Sequence, residues 1–383
     1  MKEKIVHLCM TVFTDSMAYQ ENILTKYHAK MGYDVTVITS MWKYDIEGKL
    51  AEDRRTAYIN PYGVCVRRLP IKGKNNIRRK FRKFSGVYDV LCEEKPDILF
   101  IHGSQYIDIS VIVKYIKTHK VSRVYVDNHA DFSNSATNWL SKNVLHKIIW
   151  RHYAHMIEPY TDKFYGVLPA RVDFLTDVYK LPKEKCELLI MGADGELVIS
   201  AKGNREETRK KYNIGKADFL IVTGGKIDCW KTQTILLEEA VESLQEVNVR
   251  LIIFGSIINE LKDKVMSLCN EHIVYVGWLS REETYDLIAA SDLAVYPGRH
   301  STLWEQTAGQ AVPMIVKHWE GTHHVDVNGN VEFLYEDSSE EIQEKLEELL
   351  KNPDKYQAMK QAADGCAEQF RYGNIARKSI QEK

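Results

Sequence analysis

Short apolar runs alternate with amphipathic stretches along almost the whole chain. KIVHLCM reads as a strand, QENILTKYHAKMG as a helix closed by Gly32, and YDVTVITS as the next strand. PDILFIHG, SRVYVDNH and DKFYGVLP continue the rhythm. It returns further on with ADFLIVTGG, a helix over 232–244, NVRLIIFGS, a helix over 259–270, HIVYVGW, a helix over 281–290, DLAVYPG and PMIVKH. Strands that alternate with helices form parallel sheets covered on both faces. The expected fold is therefore α/β, with two doubly wound, Rossmann-like domains facing across a cleft.

The connection between the two series lies near CELLIMGADGEL, over 186–197. The expected division is 1–187 for the first domain, 188–365 for the second, and 366–383 for a closing helix. In open parallel sheets, ligands sit beyond the carboxyl ends of the strands. His102, His129, the glycines and lysine of 224–226, Gly255 with Ser256, and Gly277 with Trp278 all fall at such ends.

Composition adds a charge asymmetry. Residues 1–190 hold 30 Lys/Arg against 21 Asp/Glu, a net of +9; the remainder holds 22 against 32, a net of −10, and the two sum to the overall −1. Between Asp53 and Asp89 stand eleven basic residues and no acidic one. Within that span, KGKNNIRRKFRKF (72–84) interleaves Ile77, Phe81 and Phe84 with Arg78, Arg79, Lys80, Arg82 and three lysines. Such a segment can lie on an anionic membrane surface, or be a solvated basic loop. No recognised nucleic-acid motif accompanies it, so nucleic acid is not an expected partner. No apolar run is long enough for a membrane span. The seven cysteines are scattered without a CxxC pair, which fits reduced thiols in a cytoplasm better than a zinc site.

The stretch YPGRHSTLWEQTAGQAVPMI (296–315) joins a strand end to a helix start. It reads either as a plain capping box, Ser or Thr followed by Glu305, or as a helix N-terminus that receives a phosphate.

The second half resembles the donor-binding domain of retaining GT-B glycosyltransferases of family four. The carrying segments are LLIMGADGEL, IVTGGKIDCWKTQTILLEEAV, LIIFGS, IVYVGWLSREETYDLIAASDLAVYPG and STLWEQTAGQAVPMIV, in the family's order. The first half is similar more weakly, through GYDVTVITS, PDILFIHG and the strand ending in DNH. The resemblance implies that Lys226 and Lys231 neutralise the donor diphosphate, with Gly225 and Gly255 allowing its close approach and Trp278 beside the base, although Trp278 reads equally well as core packing. It implies two acidic residues eight apart in the 296–315 stretch, and here the sequence departs: counting back from Pro313 puts Gln306 and Gly298 at those places, with Glu305 one residue early. Either Glu305 or Gln306 then meets the ribose, Glu305 being favoured because a carboxylate accepts from both hydroxyls. His300 stands near the sugar, with Ser301 and Thr302 at the phosphates. His129 falls where the family keeps a histidine near the anomeric carbon. His102 and Asp15 are acceptor candidates, and the resemblance has the closing helix pack back towards the first domain.

No Asp-x-Asp motif occurs, so no metal and no other cofactor is expected. The expected function is a metal-independent, retaining transfer of sugar from a nucleotide-sugar, with a UDP-sugar as the expected donor. The acceptor would be a saccharide or polyprenyl-linked lipid of surface polysaccharide assembly. The expected location is the cytoplasm, as a peripheral protein on the inner face of the cell membrane. The alternatives are a non-catalytic nucleotide-sugar-binding subunit, and a GT-B epimerase, for which several cleft carboxylates would be wanted.

Overall fold

The computed structural model describes residues 2–15, 17, 19–44, 49–72, 81–228, 234–244 and 248–381. Two compact units make up the chain: Met1–Ile190 together with Ala376–Lys383, and Met191–Ile375.

In the first unit, eight strands form one sheet in the order Cys186–Leu188, Lys163–Gly166, Arg123–Asn128, Ile98–His102, Lys4–Cys9, Asp34–Ser40, Cys65–Leu69 and Ala57–Ile59. All neighbours run parallel except the last strand, which closes the edge antiparallel. Successive side chains alternate between faces. Val6, Leu8, Leu99, Ile101, Val124 and Val126 enter an aliphatic core. The alternate positions His7, Phe100, His102, Tyr125, Asp127 and Tyr165 form a buried aromatic and polar layer. That layer is covered by helix Gln20–Lys30 and by the end of helix Tyr372–Ser379. The Tyr125 hydroxyl donates to the Ile380 carbonyl at 2.9 Å and the Tyr165 hydroxyl to that of Lys378 at 3.3 Å.

Strand Cys65–Leu69 escapes a hydrophobicity reading because Arg67 and Arg68 interrupt it. Arg68 is buried, yet its guanidinium donates to the carbonyls of Ser40 and Phe13, each at 2.9 Å, and to the Tyr58 hydroxyl at 2.8 Å. A buried cation is tolerable when so satisfied. Part of the basic surplus of this half is thus internal.

The second unit holds six parallel strands in the order Ile273–Tyr275, Val249–Ile257, Phe219–Ile227, Leu293–Tyr296, Met314–Lys317 and Val331–Leu334. The helices expected over 259–270 and 281–290 span Asn259–Leu268 and Arg281–Ala290. The latter starts on a full capping box: the Ser280 hydroxyl accepts from the Glu283 N–H, and the Glu283 carboxylate from the Ser280 N–H, both at 3.1 Å. Among the described residues, no helix is long and apolar enough to cross a membrane.

Candidate functional site

At the carboxyl edge of the second sheet, a small cavity is lined by Gly224, Gly225, Lys226, Gly298, Arg299 and Ser301 among others. Two strand ends make it. The backbone of Phe219–Ile227 turns through Gly225 at φ +115°, beside Gly255 at φ +111° on the neighbouring strand. A Cβ on Gly255 would lie 1.9 Å from the Gly225 carbonyl oxygen. Gly255 is therefore required by the adjacent backbone, in addition to any need to leave room for a nucleotide. The Lys226 side chain is 62% exposed, with its ammonium 3.4 Å from Asp228. Trp278 is 78% exposed, so it is not a core residue. Lys231 lies outside the described residues.

Helix Leu303–Gly309 follows the cavity, with Thr302 at its N-cap and no side-chain cap bond. The capping box expected with Glu305 is absent, because Glu305 turns inward. Its Oε1 takes hydrogen bonds from His300 Nε2 and from His324 Nε2, both at 2.8 Å. The carboxylate is completely buried; burial alone would raise its pKa, but the two imidazoles hold it well below the usual carboxylate range. A ribose contact by Glu305 does not fit this placement: both oxygens face the interior. Gln306, nearly buried on the same turn, is left as the ribose candidate. His300 is likewise tied to Glu305, with only 10% of its side chain exposed; Ser301 lines the cavity, while Thr302 is exposed at the helix N-cap and does not line it.

In the first unit, strand Arg123–Asn128 and strand Ile98–His102 place Asp127 directly opposite His102. His102 Nδ1 donates to Asp127 Oδ2 at 2.6 Å, and His129 Nε2 approaches the same oxygen at 3.4 Å. Asp127 is fully buried, whereas 40% of the His129 side chain is exposed. Burial opposes ionisation of Asp127, yet His102 and His129 hold its pKa well below the ordinary range. Loss of water around His129 lowers its pKa, and the Asp127 carboxylate more than reverses this, so the net direction is up. An imidazole of raised proton affinity thus sits at the open end of a buried carboxylate.

In each cluster, three ligand-type atoms lie within 4.8 Å of one another. Two ligands on a tetrahedral zinc, each about 2.0–2.1 Å from the ion, stand roughly 3.3 Å apart. The 2.6 and 2.8 Å contacts here are hydrogen-bond lengths instead.

Other expected positions separate from these clusters. Asp15 accepts from the Tyr58 hydroxyl at 3.3 Å and lies 3.6 Å from Arg55. His102 is engaged in the sheet layer and is not presented as an acceptor contact. Arg82 is half-buried, with Cys9 and Tyr106 acting on it, and burial lowers its pKa; it is not offered to a membrane. Arg78, Arg79 and Lys80 lie outside the described residues. The sequence reading missed His7, His28, Asp127 and His324. The available signal was a polar residue inside an apolar strand, as in KIVHLC and RVYVDN.

Solved structures show the same architecture of two Rossmann-like units, the GT-B fold. A glycosyltransferase from Rickettsia africae matches with a TM-score of 0.72 at 14% identity, over 99% of this chain and 97% of that one. Anabaena HepE in complex with UDP matches with a TM-score of 0.68 at 14% identity, over 99% and 98%. The UDP-GlcNAc 2-epimerase of Neisseria meningitidis matches with a TM-score of 0.66 at 12% identity, over 99% of each chain. No curated protein sequence matches the chain. Residues 204–365 match the family described as glycosyl transferases group 1. The second unit therefore carries a glycosyltransferase domain.

Proposed function

We propose that the chain is a retaining, metal-independent glycosyltransferase of family four that uses a UDP-sugar. The observation that carries this reading is the glycine-lined cavity of 224–226 and 298–301, which lies inside the matched segment with Lys226 at its rim. A diphosphate seated there would meet backbone N–H groups and a cation where charge develops as the sugar bond breaks. The acceptor hydroxyl attacks the face that the diphosphate leaves, and a leaving phosphate oxygen takes its proton. Gln306 contacts the ribose and Trp278 flanks the base. His129 is the first unit's contribution at the transferred sugar. HepE, which shares the fold, was solved with UDP, and this supports the choice of base. The acceptor is a saccharide or lipid-linked saccharide of surface polysaccharide assembly, met by the basic first unit at the cytoplasmic membrane face.

A thermal-shift comparison of UDP, GDP and ADP, with and without EDTA, tests the donor site. UDP at 100 times its Kd stabilises the fold by about 2.7 kcal/mol. The expected result is a UDP-selective shift, unchanged by EDTA and reduced in Lys226→Ala. Equal or absent shifts with all three nucleotides would overturn the reading. The Neisseria match gives a second reading, epimerisation of a UDP-sugar, since the same fold carries that activity there. Proton NMR of UDP-GlcNAc incubated with the protein separates the two: a change at C2 without an acceptor favours the epimerase.

A further inference from the structure

The Asp127–His102 pair does not end at the sheet. His102 Nε2 lies 3.0 Å from His7 Nδ1, and His7 Nε2 lies 3.0 Å from His28 Nδ1. His28 Nε2 in turn lies 3.2 Å from the Ala376 carbonyl and 3.0 Å from Ser379 Oγ. His7 and His28 are completely buried and His102 nearly so. A file of three imidazoles thus runs from a carboxylate under His129 to the end of the last helix.

The direction of these bonds can be counted. A carboxylate and a carbonyl only accept. Four hydrogen bonds link those two acceptors through three rings, and each bond needs one proton. Three neutral imidazoles supply three, so one more is required. The arrangement with every imidazole neutral and Asp127 ionised has one alternative source, the Ser379 hydroxyl. That hydroxyl already donates to the Ala376 carbonyl at 2.7 Å. Turning it into His28 would set the His28 Nε2 lone pair against that carbonyl at 3.2 Å.

We infer that His102, His7 and His28 form a positioning relay that stores one extra proton on the His102–Asp127 pair. Its bearing on sugar transfer rests on the reading of His129 given above, but the stored proton itself does not. Burial drives His7 and His28 towards their neutral forms, His28 to about 4, with their imidazole neighbours adding to the effect. The charge therefore collects at the Asp127 end. There it tempers the pull of the carboxylate on His129 and fixes which oxygen His129 faces. Other charged groups lie near: Glu21 and Arg171 act on His129, and Asp127 itself helps to raise the pKa values of Cys9 and Tyr106. The Phe100 ring stacks on His7, and the edge of Tyr33 meets His28.

The test is nitrogen-15 NMR of the histidine rings, with the carboxyl carbon of Asp127, on the full chain without substrate from pH 6 to 9. The expected result is one excess proton that persists to the alkaline end, seen as a doubly protonated His102 ring beside an ionised Asp127. Ser379→Ala should leave that count unchanged, because the serine is only an acceptor for His28. His28→Leu removes the far acceptor, so the excess proton should leave at neutral pH. His129, then facing an uncompensated carboxylate, should titrate about one pH unit higher, a tenfold gain in proton affinity. A merely structural role for His28 would cost stability and leave His129 where it was. Three singly protonated rings beside an ionised Asp127 in the wild type, or proton uptake only on Ser379→Ala, would overturn the inference. Failure of UDP to bind would leave these signals intact, so the two readings fail separately.

Discussion

The two histidine–carboxylate clusters use the same parts to opposite ends. In each, one carboxylate oxygen faces two imidazoles, and in each the carboxylate is completely buried. In the first unit one of those imidazoles, His129, reaches solvent, and the other continues into a file of rings. In the second unit both imidazoles are nearly buried, and Glu305 Oε2, His324 Nδ1 and Trp304 Nε1 have no hydrogen-bond partner among the described residues. The first cluster therefore presents an ionisable ring to solvent. The second is closed and ties the turn at His300 to Glu305 and His324. Chemistry follows from where the cluster opens more than from its residue types.

Breaking the open cluster should give the largest effect, and it should appear in rate alone. His129→Ala is expected to lower transfer by about 100-fold to 1,000-fold, the range of one lost polar donor at a reacting centre. Its melting temperature should stay close to wild type, since the side chain is half exposed. A fall in stability equal to the fall in rate would make His129 a structural residue instead.

Breaking the closed cluster should reverse that pattern. The double variant His300→Ala/His324→Ala leaves Glu305 buried without its partners, which costs about 3–5 kcal/mol in urea unfolding at neutral pH. The pH dependence carries the sign. Because the folded-state pKa of Glu305 is depressed, the wild type keeps this contribution above the ordinary glutamate range and loses it as pH falls through the folded value. The double variant should lack that acid limb.

A third buried carboxyl sharpens the contrast. Glu238, on helix Thr234–Glu242, is completely buried, and neither oxygen has a hydrogen-bond partner among the described residues. Burial, reinforced by Glu239, pushes its pKa up to about 8. Between about 4.5 and 8 the unfolded chain releases this proton and the folded chain keeps it, so stability falls as pH rises through that window. Glu238→Gln should flatten the decline and raise the melting temperature at pH 8. No change at pH 8 would show that Glu238 has found a partner.

Much of this was legible beforehand, for physical reasons. The strands of both sheets are apolar runs, and turn residues such as Gly32 and Gly277 stand at their ends, so the α/β pattern reads directly from periodicity. Gly225, Lys226 and Ser301 were reachable because a parallel sheet concentrates ligands at strand carboxyl ends. The orientation of Glu305 was not reachable. Whether a side chain in a first helical turn caps the helix or turns inward depends on partners such as His324, nineteen residues away along the chain. The His7–His28–His102 file is similarly non-local, since each member is an isolated histidine until strand pairing and the last helix bring them together.

The smallest expected effect belongs to Trp278, and it separates the donor edge from both clusters. An indole 78% exposed contributes little to folding, so Trp278→Ala should change unfolding free energy by no more than about 0.5 kcal/mol. Large exposed aromatics on a soluble surface are informative when they stand at a ligand edge. The Gly277 carbonyl accepts from the Gly255 N–H at 2.8 Å, which anchors the turn bearing Trp278 beside the strand end at Gly255. If the indole flanks the base, its removal weakens UDP by a few-fold, about 1 kcal/mol, as stacking losses do. Isothermal titration with UDP and with inorganic diphosphate reads this directly. A loss confined to UDP assigns Trp278 to the base, and an equal loss for both ligands assigns it to the shape of the phosphate seat.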